Sequence, residues 1–512
     1  MSKFRVSYRV LVPLVAVTAI SCVLHLNGLG ASELQGDEAS AVIKGIQVIY
    51  GTRHPRLLGA LFLYGHEPVR ALLTVPILLV TGLDEFALRL PNALAGAATP
   101  LAVAWLAHLW FRNRATTLLA AALCASSGGA LVGRLAMGVG PFVLSSSLAL
   151  AGLVHYSEHR DLRALWLSAF SYALAVLCYF DALFLLPGMV ALVLRSPRLR
   201  RDPNVHRAAL AVALTVGLYS AAWAAAPLLG LRMGVVSDLR EVGLWRILQR
   251  GTAGLNDDLL ASLRVLALYN GWLYTGLLLA GIVLFLARWR GIRAVRSAAA
   301  IALPPLLLFS LIRRPTVHVL NFMPLLVLMA GYGWSLLVGW KRVGPILLVI
   351  VVTVMCGVGM AHTLALQANS SARAPRLKGW GLPHFQGLKA AGALIRSRAN
   401  PCDLVKSPLD GFMVQLYTGH RPVPADPGHH PARFALWPLD DPAAPTVPAG
   451  YRRAATITMG GRPSLAVYEH SETDSPALEL LLVEGESGPE AFDRFNHIGK
   501  WLPAQWAGCP IP

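Results

Sequence analysis

The 512-residue sequence predicts an α-helical polytopic membrane protein with about eleven transmembrane helices, interfacial helices in its first outer loop and a small C-terminal α/β domain outside the membrane. Three observations predict this class. Apolar residues make up 55% of the chain and charged residues only 14%, against about 25% charged in an ordinary soluble domain. Apolar runs of spanning length recur along the first 366 residues. The net charge of +18 is concentrated in short connections on one side of those runs. Together they exclude a disordered chain, a soluble enzyme of ordinary composition and a disulfide-dense secreted scaffold. The charge placement argues against nucleic acid as a partner and for anionic lipid at the inner leaflet.

The runs lie at about 10–28, 90–110, 116–133, 138–156, 164–180, 182–195, 207–229, 263–287, 297–313, 316–338 and 344–366. Each approaches the roughly 20 apolar residues that a helix needs to cross a bilayer. A further run, about 67–83, is shorter and holds Pro76, so it is expected to lie near the outer surface. With the N-terminus inside, segments 1–9, 111–115, 157–163, 195–207, 288–296 and 341–343 are cytoplasmic. They hold 18 Lys and Arg against Glu158, Asp161 and Asp202, a net of +15. The first run has the look of a leader, with Cys22 behind Ala19-Ile20-Ser21, but the spans that follow favour an uncleaved helix.

Residues 1–366 thus read as a membrane module, with 29–89 as its first outer loop and 230–262 as a second outer segment. Residues 367–512 are Pro-rich and less apolar, with a helical stretch near 385–398 and strands expected at 402–406, 413–417, 454–459 and 463–468. Cys22, Cys124, Cys178 and Cys356 fall in membrane runs, while Cys402 and Cys509 lie in the tail. An oxidising compartment would permit a bridge between those two; two free thiols are the alternative. No Cys or His spacing calls for a metal, no cofactor is expected, and inverted halves of the transporter kind are not apparent.

Acids are scarce, so each outer carboxylate carries information. Asp37-Glu38 follow Gly36 and precede Ala39, Val42, Ile43, Ile46 and Ile49, whose spacing suits an interfacial helix. Asp37 can cap that helix, or it can serve as a general base beside the membrane. His66-Glu67-Pro68-Val69 follows; Pro68 suits a first helical turn, and His66 can donate to a phosphate or sit as an ordinary interfacial residue. Arg89, in Asp84-Glu85-Phe86-Ala87-Leu88-Arg89-Leu90-Pro91, can bind headgroup phosphate or tie down Asp84 or Glu85. Arg134, at the outer end of the third run, is a phosphate clamp or a snorkelling side chain. Asp181 lies between two runs, where a carboxylate needs a partner, a wet cavity or the outer surface. Arg313, Arg314 and His318 start the tenth run on the same side.

In this order the motifs resemble the integral-membrane glycosyltransferases of the GT-C class, closest to the dolichyl-phosphate-mannose protein mannosyltransferase and aminoarabinose transferase group. The first 190 residues carry the resemblance, and Phe86-Ala87-Leu88-Arg89-Leu90-Pro91-Asn92-Ala93-Leu94-Ala95-Gly96 is its most specific piece. Residues 196–366 match in span pattern and in Arg314, His318 and Pro324. The resemblance implies a polyprenyl-phosphate sugar as donor and a hydroxyl of a protein, lipid or glycan as acceptor, with inversion at the anomeric carbon. It implies Asp37 as the base or acceptor-orienting carboxylate, Glu38 as its supporting neighbour, and His66 and Arg134 near the lipid phosphate; Glu67, Arg89, Asp181, Arg314 and His318 are further substrate-binding candidates by their outer-side positions. Relatives often carry His-Pro-Pro-Leu where this chain has His66-Glu67-Pro68-Val69, and an acid about five residues after the Arg, where this chain has Val139. Asp181 or Glu67 is the candidate substitute. The competing readings are a non-catalytic protein of the same fold and a transporter of lipid-linked sugar; the second is disfavoured, because a transporter needs polar residues deep inside its spans and these spans hold few.

Overall fold

The computed structural model describes residues 8–31, 33–34, 38–39, 41–43, 68–225, 255–288, 295, 298–300, 302–304, 317–339, 343–368, 387–400, 402–409, 411–423, 425, 432–439, 446–459, 462–470 and 480–483. The chain divides into two compact units. Met1–Asn27, Gly65–Val69 and Pro91–Ala365 form one; Gly28–Tyr64, Arg70–Leu90 and Leu366–Pro512 form the other.

The first unit is helical. Its described helices include α1 (Tyr8–Leu26); after α2 (Pro68–Thr81), which lies in the second unit from Arg70, come α3 (Glu85–Phe111), in the first unit from Pro91, and α4 (Arg114–Ala125), α5 (Gly129–Gly133), α6 (Val139–His159) and α7 (Leu162–Cys178). A 3-10 turn over Phe180–Leu185 leads into α8 (Leu186–Arg195), followed by α9 (Pro203–Ala225), α10 (Leu255–Asn270) and α11 (Trp272–Ala287). A second 3-10 turn, Val317–Phe322, leads into α12 (Met323–Ser335), and α13 spans Val343–Ala368. Among the described residues, Glu85–Phe111, Val139–His159, His318–Val338 and Gly344–Gln367 are long and apolar enough to cross a membrane. The pair Ser262–Asn270 and Trp272–Ala287 makes a fifth crossing if it counts as one span. Only 22% of the apolar window of Gly344–Gln367 is buried, and Ile346, Val349 and Ile350 are each more than half exposed. A surface of that kind needs lipid against it. The chain is an integral membrane protein. Helix α2 has 14 residues, a rise of about 21 Å, too short to cross as a straight rod.

Two expected spans are not continuous helices. The run at 116–133 breaks between α4 and α5, because Ser126-Ser127-Gly128-Gly129 follows it. The Ser126 and Ser127 hydroxyls donate back to the Ala122 and Cys124 carbonyls, which competes with the helical ladder. The run at 263–287 bends by 120° between α10 and α11, where Gly271 takes φ +81°. The breaks meet: the Asn270 amide oxygen accepts from the Gly128 N–H at 2.8 Å. A polar side chain thus satisfies a backbone donor that no helix serves. The expected run at 297–313 falls mainly outside the described residues.

In the second unit, α14 (Leu388–Arg398) and α15 (Gly411–Thr418) accompany six strands: β1 (Leu404–Lys406), β2 (Arg421–Val423), β3 (Phe434–Pro438), β4 (Tyr451–Met459), β5 (Arg462–His470) and β6 (Leu480–Val483). The order is β2-β1-β3-β5-β4-β6. Strands β2, β1 and β3 run parallel, β5 is antiparallel to β3 and β4, and β6 is parallel to β4. All five residues of β3 are buried. The strand expected at 413–417 is instead α15. Its Phe412-Met413-Val414 and Leu416-Tyr417 run suits either state by pattern. It connects β1 to its parallel neighbour β2, and a parallel pair needs a crossover, usually helical.

Cys402 is disulfide-bonded, while Cys22, Cys124, Cys178 and Cys356 are free thiols. Cys509 lies outside the described residues.

Candidate functional site

In the second unit, the chain that leaves α1 folds around one guanidinium. Arg89 projects from the second turn of α3, a helix capped at its start by Asp84, whose carboxylate accepts from the Phe86 and Ala87 N–H groups at 2.9 and 3.3 Å. The Arg89 Nε donates to Glu38 Oε1 at 2.9 Å and Nη2 to Oε2 at 2.7 Å. Nη1 donates to the Leu29 carbonyl at 3.0 Å, and Nη2 also donates to the Glu33 carbonyl at 2.9 Å. Arg89 is 1% exposed and Glu38 fully buried. This is the bidentate fork that only arginine provides. Glu38, 51 residues upstream, is therefore the carboxylate that holds Arg89, where sequence reasoning considered Asp84 and Glu85. Asp84 is engaged as a cap, and Glu85 pairs with Lys389 Nζ at 2.7 Å.

The same stretch reaches the tail. The buried Glu33 carboxylate accepts from the Leu388 and Lys389 N–H groups, at 3.1 and 2.6 Å, at the start of α14. A carboxylate there complements the helix dipole as well as two unpaired amides. The Leu34 N–H donates to the Tyr417 hydroxyl at 2.6 Å, and that hydroxyl donates to Glu85 at 3.4 Å. Burial pushes the Tyr417 hydroxyl well above its ordinary range, with Glu85 and Glu33 adding to the effect, so it stays protonated and can serve both partners.

The first unit holds two further polar groups. Arg134 follows α5, is 7% exposed, and donates from Nη1 to the Asn27 carbonyl at 2.7 Å, just past the end of α1. A cation there complements the carbonyl end of that helix. Asp181, 1% exposed in the 3-10 turn after α7, accepts from His318 Nδ1 at 2.9 Å and Asn321 Nδ2 at 2.8 Å. The Tyr179 ring lies 5.4 Å from the His318 ring. Asp181 and His318, named separately from sequence, thus meet across 137 residues. The Asn321 amide oxygen is buried without a partner among the described residues, and Asn321 lines a small cavity with His25, Thr99, Ser127 and Val139.

Asp37, His66, Glu67 and Arg314 lie outside the described residues. Glu33, Lys389, Tyr417 and Asn321 escaped sequence reasoning. Glu33 carried one signal: it is another acid in a loop where acids are scarce. Among the described residues no three His, Cys, Asp or Glu side chains are placed to hold a metal.

Residues 65–223 match the family model described as dolichyl-phosphate-mannose-protein mannosyltransferase. Among solved structures the chain is similar to ArnT from Cupriavidus metallidurans in the apo state, with TM-score 0.61 and 14% identity over 90% of this chain and 99% of that one. The same protein bound to undecaprenyl phosphate gives 0.58 at 14% identity, over 89% and 97%. The oligosaccharyltransferase AglB from Archaeoglobus fulgidus, in complex with an inhibitory peptide and a dolichol-phosphate, gives 0.55 at 12% identity, over 85% and 70%. The fold is that of the GT-C glycosyltransferases. No curated protein matches the chain in sequence.

Within the GT-C fold, the segment Pro91-Asn92-Ala93-Leu94-Ala95-Gly96 has a clear packing task. Asn92 Oδ1 accepts from the Gly138 N–H at 2.9 Å, where Gly138 takes φ +78° ahead of α6. Gly96 leaves room for the buried His25 ring of α1, which a Cβ would strike. His25 Nδ1 is in turn 2.8 Å from the Ser21 carbonyl. The most specific stretch of the sequence resemblance therefore joins α1, α3 and α6.

Proposed function

We propose that the protein transfers a sugar from a polyprenyl-phosphate-linked donor to a hydroxyl acceptor at the outer face of the membrane, with inversion. The observation that carries the reading is the buried Arg89–Glu38 pair, which holds Glu38 of the Asp37-Glu38 motif after α1. Similarity to proteins seen with undecaprenyl phosphate and dolichol-phosphate supports a lipid phosphate as the carrier. The acceptor oxygen attacks the anomeric carbon, the bond to the phosphate oxygen breaks, and polyprenyl phosphate leaves with the electron pair. The acceptor proton passes to Asp37. Glu38, both oxygens held by Arg89, positions its neighbour and takes no proton. Arg134, His66 and Arg314 stabilise the anion that leaves; Glu67, Asp181 and His318 complete the substrate-binding set. The proposed acceptor is a protein, glycolipid or polysaccharide hydroxyl.

The proposed topology places the N-terminus in the cytoplasm of a bacterial cell, residues 1–366 in the inner or plasma membrane, and 367–512 outside as an α/β domain. The +15 charge of the short inner segments supports it. One observation favours a second reading, a non-catalytic protein that binds lipid-linked sugar. Val139, where relatives carry an acid, is 2% exposed and offers no charge to the cavity it lines.

A transfer assay separates the two. Purified protein is given radiolabelled polyprenyl-phosphate sugars with membrane extract as acceptor, beside Asp37→Asn. Release of polyprenyl phosphate from one donor, lost in the folded mutant, is the expected result. Donor binding without turnover in either protein establishes the second reading.

A further inference from the structure

We infer that the tail domain is a positioning element of the reaction centre, and that Glu33, with Tyr417 and Lys389, is the device by which it acts. The inference rests on the glycosyl-transfer reading above. Its basis is the way the chain between Leu29 and Glu38 is held. On one side Arg89 grips the Leu29 carbonyl, the Glu33 carbonyl and the Glu38 carboxylate. On the other, α14 offers two N–H groups to the Glu33 carboxylate, and Tyr417 accepts from the Leu34 N–H. These anchors come from residues 355 and 383 positions away.

Asp37 follows Leu34 by three residues and precedes Glu38. Consecutive Cα atoms are about 3.8 Å apart, and the anchored residues Leu34 and Glu38 stand three positions before and one position after Asp37. Removing the Arg89 end frees the loop from α3; removing the Glu33 end frees it from the tail. Reactive groups lose on the order of 100-fold in rate for a displacement near 1 Å, so either loss reaches the chemistry.

The tail side is built as a connected unit. Lys389 gives its N–H to Glu33 and its ammonium to Glu85. Tyr417 holds Leu34 and Glu85 together, and its carbonyl accepts from Arg396 on the last turn of α14. Glu33 itself touches no reacting atom in this scheme; it acts through the loop.

The test compares wild type, Glu33→Gln and Tyr417→Phe as full-length proteins in detergent. Gln retains the shape of Glu33 but sets an amide donor against one of two backbone donors. Two readouts are taken: hydrogen exchange over residues 28–43 and over β4 and β5, and donor turnover with the active polyprenyl-phosphate sugar. The expected result is faster exchange in 28–43 with β4 and β5 unchanged. It comes with kcat about 10- to 100-fold lower and donor KM within about twofold, a split that general loss of structure does not produce. Glu33→Asp, which restores the charge, is expected to recover part of the rate. Loop exchange equal to wild type, or a loosened loop with wild-type kcat, overturns the inference. An inactive wild-type chain sinks the glycosyl-transfer reading and the positioning role of Glu33 with it; the exchange data then identify that failure as one of function, because they still report whether the tail holds the loop.

Discussion

Replacing Arg89 by Met removes the guanidinium and leaves its four acceptors in place: the two Glu38 oxygens and the Leu29 and Glu33 carbonyls. Glu38 is fully buried, so its charge would face a low-dielectric surrounding with no counter-charge from Arg89. Breaking one side of a buried pair costs about 3–5 kcal/mol. Each buried carbonyl left without a donor adds about 1–3 kcal/mol, reduced where water enters. The single mutant should therefore lose at least about 3 kcal/mol, a large share of the 5–15 kcal/mol that ordinary domains possess. The double mutant Arg89→Met/Glu38→Met removes the stranded charge as well and should recover a good part of that loss, since buried pairs are often replaceable by apolar residues of similar volume. Thermal unfolding in detergent, read by intrinsic fluorescence, with hydrogen exchange over residues 28–43, measures both. A single mutant as stable as wild type, or a double mutant no better than the single, would refute the reasoning that this ion pair organises the loop.

Three further predictions follow from described geometry. His420 is fully buried with Nδ1 2.7 Å from the Thr418 carbonyl and Nε2 3.2 Å from the Asn400 carbonyl. Burial holds its pKa below the ordinary 6.5 despite those carbonyls, so its contribution is present above about 6.5 and is lost as pH falls through the folded value. His420→Gln should flatten the acid limb of the unfolding profile. A Cβ on Gly140 would overlap the Asn92 and Gly133 carbonyls, so Gly140→Ala should destabilise by about 1–3 kcal/mol, measured by thermal unfolding. Titration of the denatured, unreduced protein should give four free thiols, those of Cys22, Cys124, Cys178 and Cys356; Cys402→Ser should add one.

The parts of the fold legible in the sequence are those fixed by local composition. Apolar length announces α3, α6 and α13, because a crossing helix must be apolar along its whole length. The breaks at 126–128 and at Gly271 are harder to read, since Ser, Gly and Asn scarcely lower the mean of an apolar run and their effect depends on a partner helix. Strands β4 and β5 are long enough to show, whereas the three-residue β1 and β2 and the fully buried β3 give no alternation. The site divides in the same way. Asp181, His318 and Arg89 stand out as polar residues in apolar surroundings, yet their partners lie 137 and 51 residues away. No local pattern encodes such a pairing. Glu33 gives no local sign of its role beyond the scarcity of acids around it, because its carboxylate serves α14, which is made from the far end of the chain.

The separation of Glu33 from α14 also has a consequence in time. Chains grow at about 5–20 residues per second, so a gap of 355 residues corresponds to roughly 20–70 s of synthesis. During that interval Glu33, Leu34 and Glu85 exist without the tail groups that satisfy them, while α3 can already offer Arg89 to Glu38. Assembly of the second unit therefore has an order: the loop first closes on α3, and the tail locks it last. A chain cut short before Leu388 would keep the ion pair and lack the lock, which makes the C-terminal quarter of the protein a checkpoint on whether its N-terminal loop is finished.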